Sequence, residues 1–197
     1  MDKIILEPIE HKYTLNGQPI LGVTNTIERA GLRDLSSINP GVLEAAQKFG
    51  TAVHSACELH DKNDLAIDVL AEPLKPYLNG WIKFLKDSKF RVHRVEFLVY
   101  SKRWRYAGML DRTGLFAASN TIIDLKSGAE DPTVKVQTAA YQEAYNEMFP
   151  KNKIRRRLTV MLKPDNYKII ESSDKSDFST FLACLQITNF KNKHKIK

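Results

Sequence analysis

The chain has 197 residues, 43% hydrophobic and 27% charged, an ordinary balance for a globular protein able to bury a substantial core. Thirty Lys and Arg against 23 Asp and Glu give a net charge of +7, which suits a polyanionic partner without requiring one. Apolar runs as short as "LTVML" exclude a membrane-spanning helix. "MDKIILEPIE" lacks the pattern of a secretory leader, and Cys57 and Cys184 form no CxxC pair, so a reduced cytoplasmic chain without disulfide framework or zinc site is expected.

In chain order, Asn16-Gly17 between short alternating runs predicts a type I′ hairpin. "TNTIERAGL" predicts a short helix capped by Thr24 or Asn25 and stopped at Gly31. Asn39-Pro40 opens a second helix through Val53, Cys57 and His60, with a break expected near Gly50. Leu74 to Lys86 is amphipathic, with Leu74, Leu78, Trp81, Ile82 and Leu85 on one stripe. "RVHRVEFLVYS", "RYAGMLDRTGLFAA" and "TIIDLKSG" then predict a three-stranded meander, and Thr133 to Met148 a helix. "RRRLTVMLKP" and "NYKIIES" predict two further strands, and Phe178 to Phe190 a last helix. The sum is an α/β chain with a mixed central sheet flanked by helices.

Basic residues cluster in "SKRWRY", "KNKIRRR" and the tail "KNKHKIK" (191–197), the last expected to be a frayed, solvated end. Lys102, Arg103, Trp104, Arg105 and Tyr106 interleave cations with aromatics, a pattern that suits stacking on unpaired bases.

In "TIIDLKSG", Asp124 and Lys126 share one face of a strand end. A hairpin turning at Ala118-Ser119 would set Asp111 opposite Lys126 and Thr113 opposite Asp124, crowding both acids and the lysine together. A divalent cation would relieve two such carboxylates better than one lysine, and hard oxygen donors suit magnesium or manganese. Each residue also has a plain reading. Asp111 alone is a turn residue before Gly114, Asp124 with Lys126 an exposed ion pair, His54 a satisfied core histidine, and Gln137 with Tyr141 a helix surface.

Taken together, these stretches resemble the PD-(D/E)XK nuclease superfamily, in its branch of RecB-type domains and related phage and mitochondrial exonucleases. "GMLD" looks like the GxxD strand end, "DLK" like (D/E)xK, "QTAAY" like QxxxY, and "GTAVHSACELH" like the upstream metal-site helix, all within about positions 12–171. The resemblance implies a restriction-endonuclease-like core. It would be one domain over 1–197, with a helical part at about 23–88, a catalytic sheet core at about 91–171, and a C-terminal helix and basic tail at about 174–197. It implies Mg²⁺ or Mn²⁺ held by His54, Asp111, Asp124 and the Leu125 carbonyl, and no iron–sulfur cluster. It gives Lys126 a catalytic role, and Gln137 and Tyr141 a place at the phosphate. Glu96 enters as an accessory acid, with Glu58 as a second candidate. The implied substrate is DNA, single- or double-stranded with ends preferred. The implied setting is the cytoplasm of a bacterial or phage-infected cell, with a recombination or single-strand-binding protein as a further partner and the oligomeric state open. A selective endonuclease and an inactive nuclease-like binding module are the alternatives.

Overall fold

The computed structural model describes residues 2–7 and 12–196. Eight strands form one sheet: β1 (Ile4–Glu7), β2 (Lys12–Leu15), β3 (Gln18–Gly22), β4 (Arg91–Ser101), β5 (Tyr106–Phe116), β6 (Ser119–Lys126), β7 (Arg156–Lys163) and β8 (Asn166–Ser172). Among the described residues five α-helices accompany it, α1 (Val23–Arg29), α2 (Pro40–Asp61), α3 (Lys75–Ser88), α4 (Thr133–Met148) and α5 (Ser176–His194), with short 3₁₀ turns at Ile67–Val69 and Glu72–Leu74. The mixed sheet with helices on both faces is the architecture expected from the sequence. Among the described residues, no helix is long and apolar enough to cross a membrane.

Local chemistry accounts for most boundaries. Asn16 (φ 53°) and Gly17 (φ 78°) both take the left-handed conformation that a type I′ turn requires. The Asn39 side chain accepts from the Gly41 and Val42 amides at the start of α2, with Pro40 in the first turn. At the end of α1, Gly31 sits at φ 85°, its amide donating to Glu28 and the Leu32 amide to Ile27, a Schellman closure.

Four expectations are corrected. Helix α1 begins at Val23 after Gly22, with no side-chain cap, so neither Thr24 nor Asn25 fills that place. Helix α2 runs unbroken through Gly50. Helix α5 extends through the basic tail to His194, where Lys191 donates to the Arg29 carbonyl; Lys197 lies outside the described residues. The β5–β6 turn falls at Ala117-Ala118 (φ 47° and 61°), so Arg112 pairs with Ile123 and Thr113 with Ile122. The register is thus two residues from the expected one, which moves Asp111 toward Asp124 instead of Lys126.

The sheet separates two cores. Val99, Tyr106, Leu110 and Ile122 pack beneath α1, α4 and α5, while Ile123, Leu125, Leu158 and Val160 pack with Val53, Cys57, Leu78, Trp81 and Phe84 of α2 and α3. Truncating a ring as buried as Trp81 or Phe84 would cost about 3–5 kcal/mol.

Strand β5 organises the centre. One of its edges pairs with β4 along nearly its whole length. The other edge is shared: Tyr106 and Ala107 pair parallel with β3, and Arg112 to Phe116 pair with β6. Between those pairings, residues 108–111 face a fork where β3 and β6 diverge. Strand β5 also turns over at this level. Leu110 lies in the core under α4 and α5, yet Arg112, two residues on, meets Asp61 and Trp81 on the α2–α3 side. A regular strand would put both on one face.

Candidate functional site

At the fork, the ladder between β5 and β6 stops and side chains take over. The Leu125 amide donates to Asp111 Oδ2 at 2.7 Å, replacing a bond that a continuing strand pair would have made. The Leu125 carbonyl faces His54 Nε2 at 2.8 Å, which leaves one of that oxygen's two lone pairs engaged. With the proton on Nε2, the lone pair on Nδ1 is directed to the side where Asp111 Oδ2 lies, 3.6 Å away.

Glu96 enters from β4, across from Asp111. Its φ of 44° is the left-handed region, sparsely used by residues with a Cβ and costing about 1–3 kcal/mol in mid-strand. This backbone turn brings its carboxylate toward α2. One ligand atom each from His54, Glu96 and Asp111 lie within 4.8 Å of one another, a group able to hold a metal ion. A cleft of about 410 Å³, lined by Gln47, Thr51, His54, Glu58 and Glu96, opens above it. Glu58 is paired with Lys62 on the cleft wall at 2.5 Å.

Asp124 lies just across β6, 2% exposed, with Lys126 Nζ 2.7 Å from Oδ2. That contact is a close ion pair outside hydrogen-bond geometry. Neither Asp124 oxygen has a hydrogen-bond partner among the described residues. Burial, opposed by Lys126 and reinforced by Asp111, pushes the Asp124 carboxyl up to about 6. Burial and then the Asp111 charge push Glu96 up to about 7. For Lys126, burial works against its charge, but Asp124 and Asp111 outweigh it and hold the ammonium above its ordinary value.

These observations test whether a divalent cation suits the residues present. Two acids lie above the ordinary carboxylate range, the buried Asp124 carboxylate is met by Lys126 alone, and a neighbouring imidazole and two carboxylates converge. An excess of hard, anionic donors is what a cation such as Mg²⁺ or Mn²⁺ would relieve.

Gln137 and Tyr141 share one face of α4, and Gln137 Nε2 donates to the Tyr141 hydroxyl at 3.0 Å. The ring is buried, and burial raises its phenol far above the ordinary value; the Asp124 and Asp111 charges add to the shift. It lines a cavity of about 320 Å³ with Tyr13, Thr24, Asn25, Glu28 and Gly108.

The basic turn after β4 is arranged differently from the expected stacking platform. Tyr106 is fully buried and donates from its hydroxyl to the Ala140 carbonyl, so its ring has no face for a base. Lys102 pairs with Asp2, Arg105 with Gln18, and Arg103 covers Trp104, whose ring packs on Phe178. The stretch borders a cavity of about 740 Å³ against α5, larger than the carboxylate cleft but lined by none of its acids. Five residues of extended strand separate Tyr106 from Asp111, roughly 17 Å, so the turn does not adjoin the carboxylates.

Two residues at the site were missed in the sequence. Arg112 is fully buried, its Nε 2.6 Å from Asp61 Oδ2 and its Nη1 3.1 Å from Glu96 Oε1. Asp61 continues the α2 stripe of His54 and Glu58 at helical spacing, a signal that could have been followed.

No protein-family model and no curated protein matches the chain. Among solved structures it is similar to a candidate exonuclease from Eubacterium rectale, at 10% identity and TM-score 0.54, over 87% of this chain and 82% of that one. An alkaline exonuclease from Laribacter hongkongensis aligns at 13% identity and TM-score 0.37, over 89% and 93% of the two chains. The first likeness is one of fold, and the restriction-endonuclease-like core expected from the sequence is the architecture this chain adopts.

Proposed function

We propose that the protein is a metal-dependent deoxyribonuclease of the PD-(D/E)XK type, one nuclease domain that shortens DNA from its ends in recombination, repair or end processing. The observation that carries this reading is the convergence of His54, Glu96 and Asp111 beside the buried Asp124 and its half-buried partner Lys126. The fold shared with a candidate exonuclease supports it.

In this reading Asp111, Asp124 and Glu96 would hold Mg²⁺ or Mn²⁺, with His54 Nδ1 and the free lone pair of the Leu125 carbonyl as further donors. A bound cation supplies Lewis-acid polarisation of a phosphate oxygen and lowers the pKa of water. Leu125, through its amide, fixes the Asp111 carboxylate, and through its carbonyl it fixes the His54 ring. Lys126, held charged by two acids, faces the negative charge that grows on the phosphate during attack. Gln137 orients the Tyr141 hydroxyl, and Tyr141 would offer the wall against which the nucleotide lies. Contacts from Arg103 and Arg105 would go to phosphates, which position a strand without reading its sequence.

The test is degradation of end-labelled linear DNA beside covalently closed circles, with magnesium or manganese and with a chelator. Progressive shortening of linear DNA with intact circles is expected, and none in chelator. Rapid nicking of the circles would point to an endonuclease, and full turnover in chelator would remove the metal-dependent reading.

A further inference from the structure

Asp61 is the last residue of α2, where a carboxylate opposes the helix dipole. Its side chain is 1% exposed and is held there by Trp81 Nε1 at 2.8 Å to Oδ1 and Arg112 Nε at 2.6 Å to Oδ2, with His60 Nδ1 at a longer 3.4 Å from Oδ1. The guanidinium is itself fully buried. Its Nη1 donates to the Asp111 carbonyl at 2.9 Å and to Glu96 Oε1 at 3.1 Å, and Nη2 has no partner among the described residues. Arg112 thus touches two of the three members of the candidate metal group while making its shorter contact to an acid outside it.

A buried arginine beside Glu96 has two possible resting places. Paired squarely with Glu96 it would occupy the oxygens a cation needs. Drawn back by a second acid, it can steady Glu96 through one oxygen and leave the other free. The contacts are those of the second arrangement, 2.6 Å to Asp61 against 3.1 Å to Glu96.

We propose that Asp61 is a positioning residue for the metal centre: through Arg112 it orients Glu96 and keeps its carboxylate open to a divalent cation. The proposal rests on the metal-centre reading above, and adds an element that touches neither cation nor substrate. Outer contacts of this kind typically alter metal affinity about 10–100-fold when removed.

The experiment is calorimetric titration of the full chain with Mn²⁺ alone. Asp61→Asn should weaken Mn²⁺ binding about 10–100-fold, and Glu96→Gln should weaken it as well. The double variant Asp61→Asn/Glu96→Gln should bind no more weakly than Glu96→Gln, because Asp61 acts only through Glu96. Arg112→Lys keeps the charge but loses the fork, and should reproduce the loss with an unchanged circular dichroism spectrum, which covers the case in which Asp61→Asn fails to fold. Additive losses in the double variant, or lowered thermal stability with unchanged Mn²⁺ affinity, would overturn the proposal. Absence of Mn²⁺ binding by the unaltered protein would instead remove the metal-centre reading itself.

Discussion

Gly108 and Tyr141 are fitted to one another: a Cβ on Gly108 would stand 2.4 Å from Tyr141 Cε1 and 3.2 Å from Val23 Cγ2. The absence of a side chain on β5 is what allows the α4 ring to rest at the fork, within electrostatic reach of Asp111 and Asp124. Gly108→Ala should therefore displace the ring, costing about 1–3 kcal/mol by chemical denaturation, and should lower turnover as well. Tyr141→Phe keeps the packing but loses the bond to Gln137, so it should cost no more than about 0.5–1.5 kcal/mol while lowering turnover. Equal stability of Gly108→Ala and the parent would contradict the fit.

The acid and lysine positions should separate stability from activity. Asp111→Asn, Asp124→Asn and Lys126→Ala should each reduce cleavage by at least roughly 10²–10³-fold, the scale of losing one group that stabilises developing charge. Asp111→Asn should leave the metal-free fold close to the parent in stability, because the repulsion of Glu96 and Asp124 that it removes is offset by lost attraction to Arg112 and Lys126. Melting curves in chelator beside cleavage rates check both halves.

Protons and cations should compete at the site. With Glu96 raised to about 7 and Asp124 to about 6, both carboxyls hold protons in slightly acidic solution. Mn²⁺ affinity should rise between pH 5 and pH 7, by up to about tenfold per pH unit for each proton displaced. For the metal-free fold the sign reverses. Glu96 binds its proton more tightly folded than unfolded, where its value is about 4.5, so stability should fall as pH rises from there to about 7. Saturating Mn²⁺ should flatten that slope. Calorimetry and melting across this range would show either trend or its absence.

The turn after β4 offers a sharper distinction. Tyr106→Phe removes a buried hydroxyl bonded to Ala140 and should cost about 0.5–1.5 kcal/mol while leaving DNA affinity unchanged. Arg103→Ala and Arg105→Ala should instead weaken DNA binding and shallow its salt dependence by about one counterion each. Fluorescence anisotropy at several salt concentrations separates the two outcomes. A large affinity loss from Tyr106→Phe would contradict its buried placement.

Periodicity and cap chemistry made most elements legible. The Asn16-Gly17 turn, the Asn39 cap and the Gly31 stop all follow from side-chain preferences that act locally. The β5–β6 register did not, because Ala117-Ala118 adopts positive φ at residues that carry no signal for it, and only the packing of both strands enforces it. At the candidate site, the closeness of Asp124 to Lys126 was readable from their two-residue spacing, but the group within 4.8 Å joins Asp111 to His54 and Glu96 and leaves Asp124 outside it. Glu96 could be suspected from its strand, but the backbone inversion that aims it could not. Asp61 and Arg112 stayed hidden because a buried pair separated by 51 positions leaves no local pattern.

The left-handed backbone at Glu96 also bears on protein engineering. Glycine occupies that conformation without penalty, and asparagine tolerates it better than glutamate. Replacing Glu96 with either would also remove a half-buried carboxylate crowded by Asp111. A library selected only for heat resistance should therefore enrich Gly or Asn at this position and discard the acid. Consensus or thermostability design on this scaffold needs a functional screen run alongside it, since the most tempting improvement lies inside the working centre.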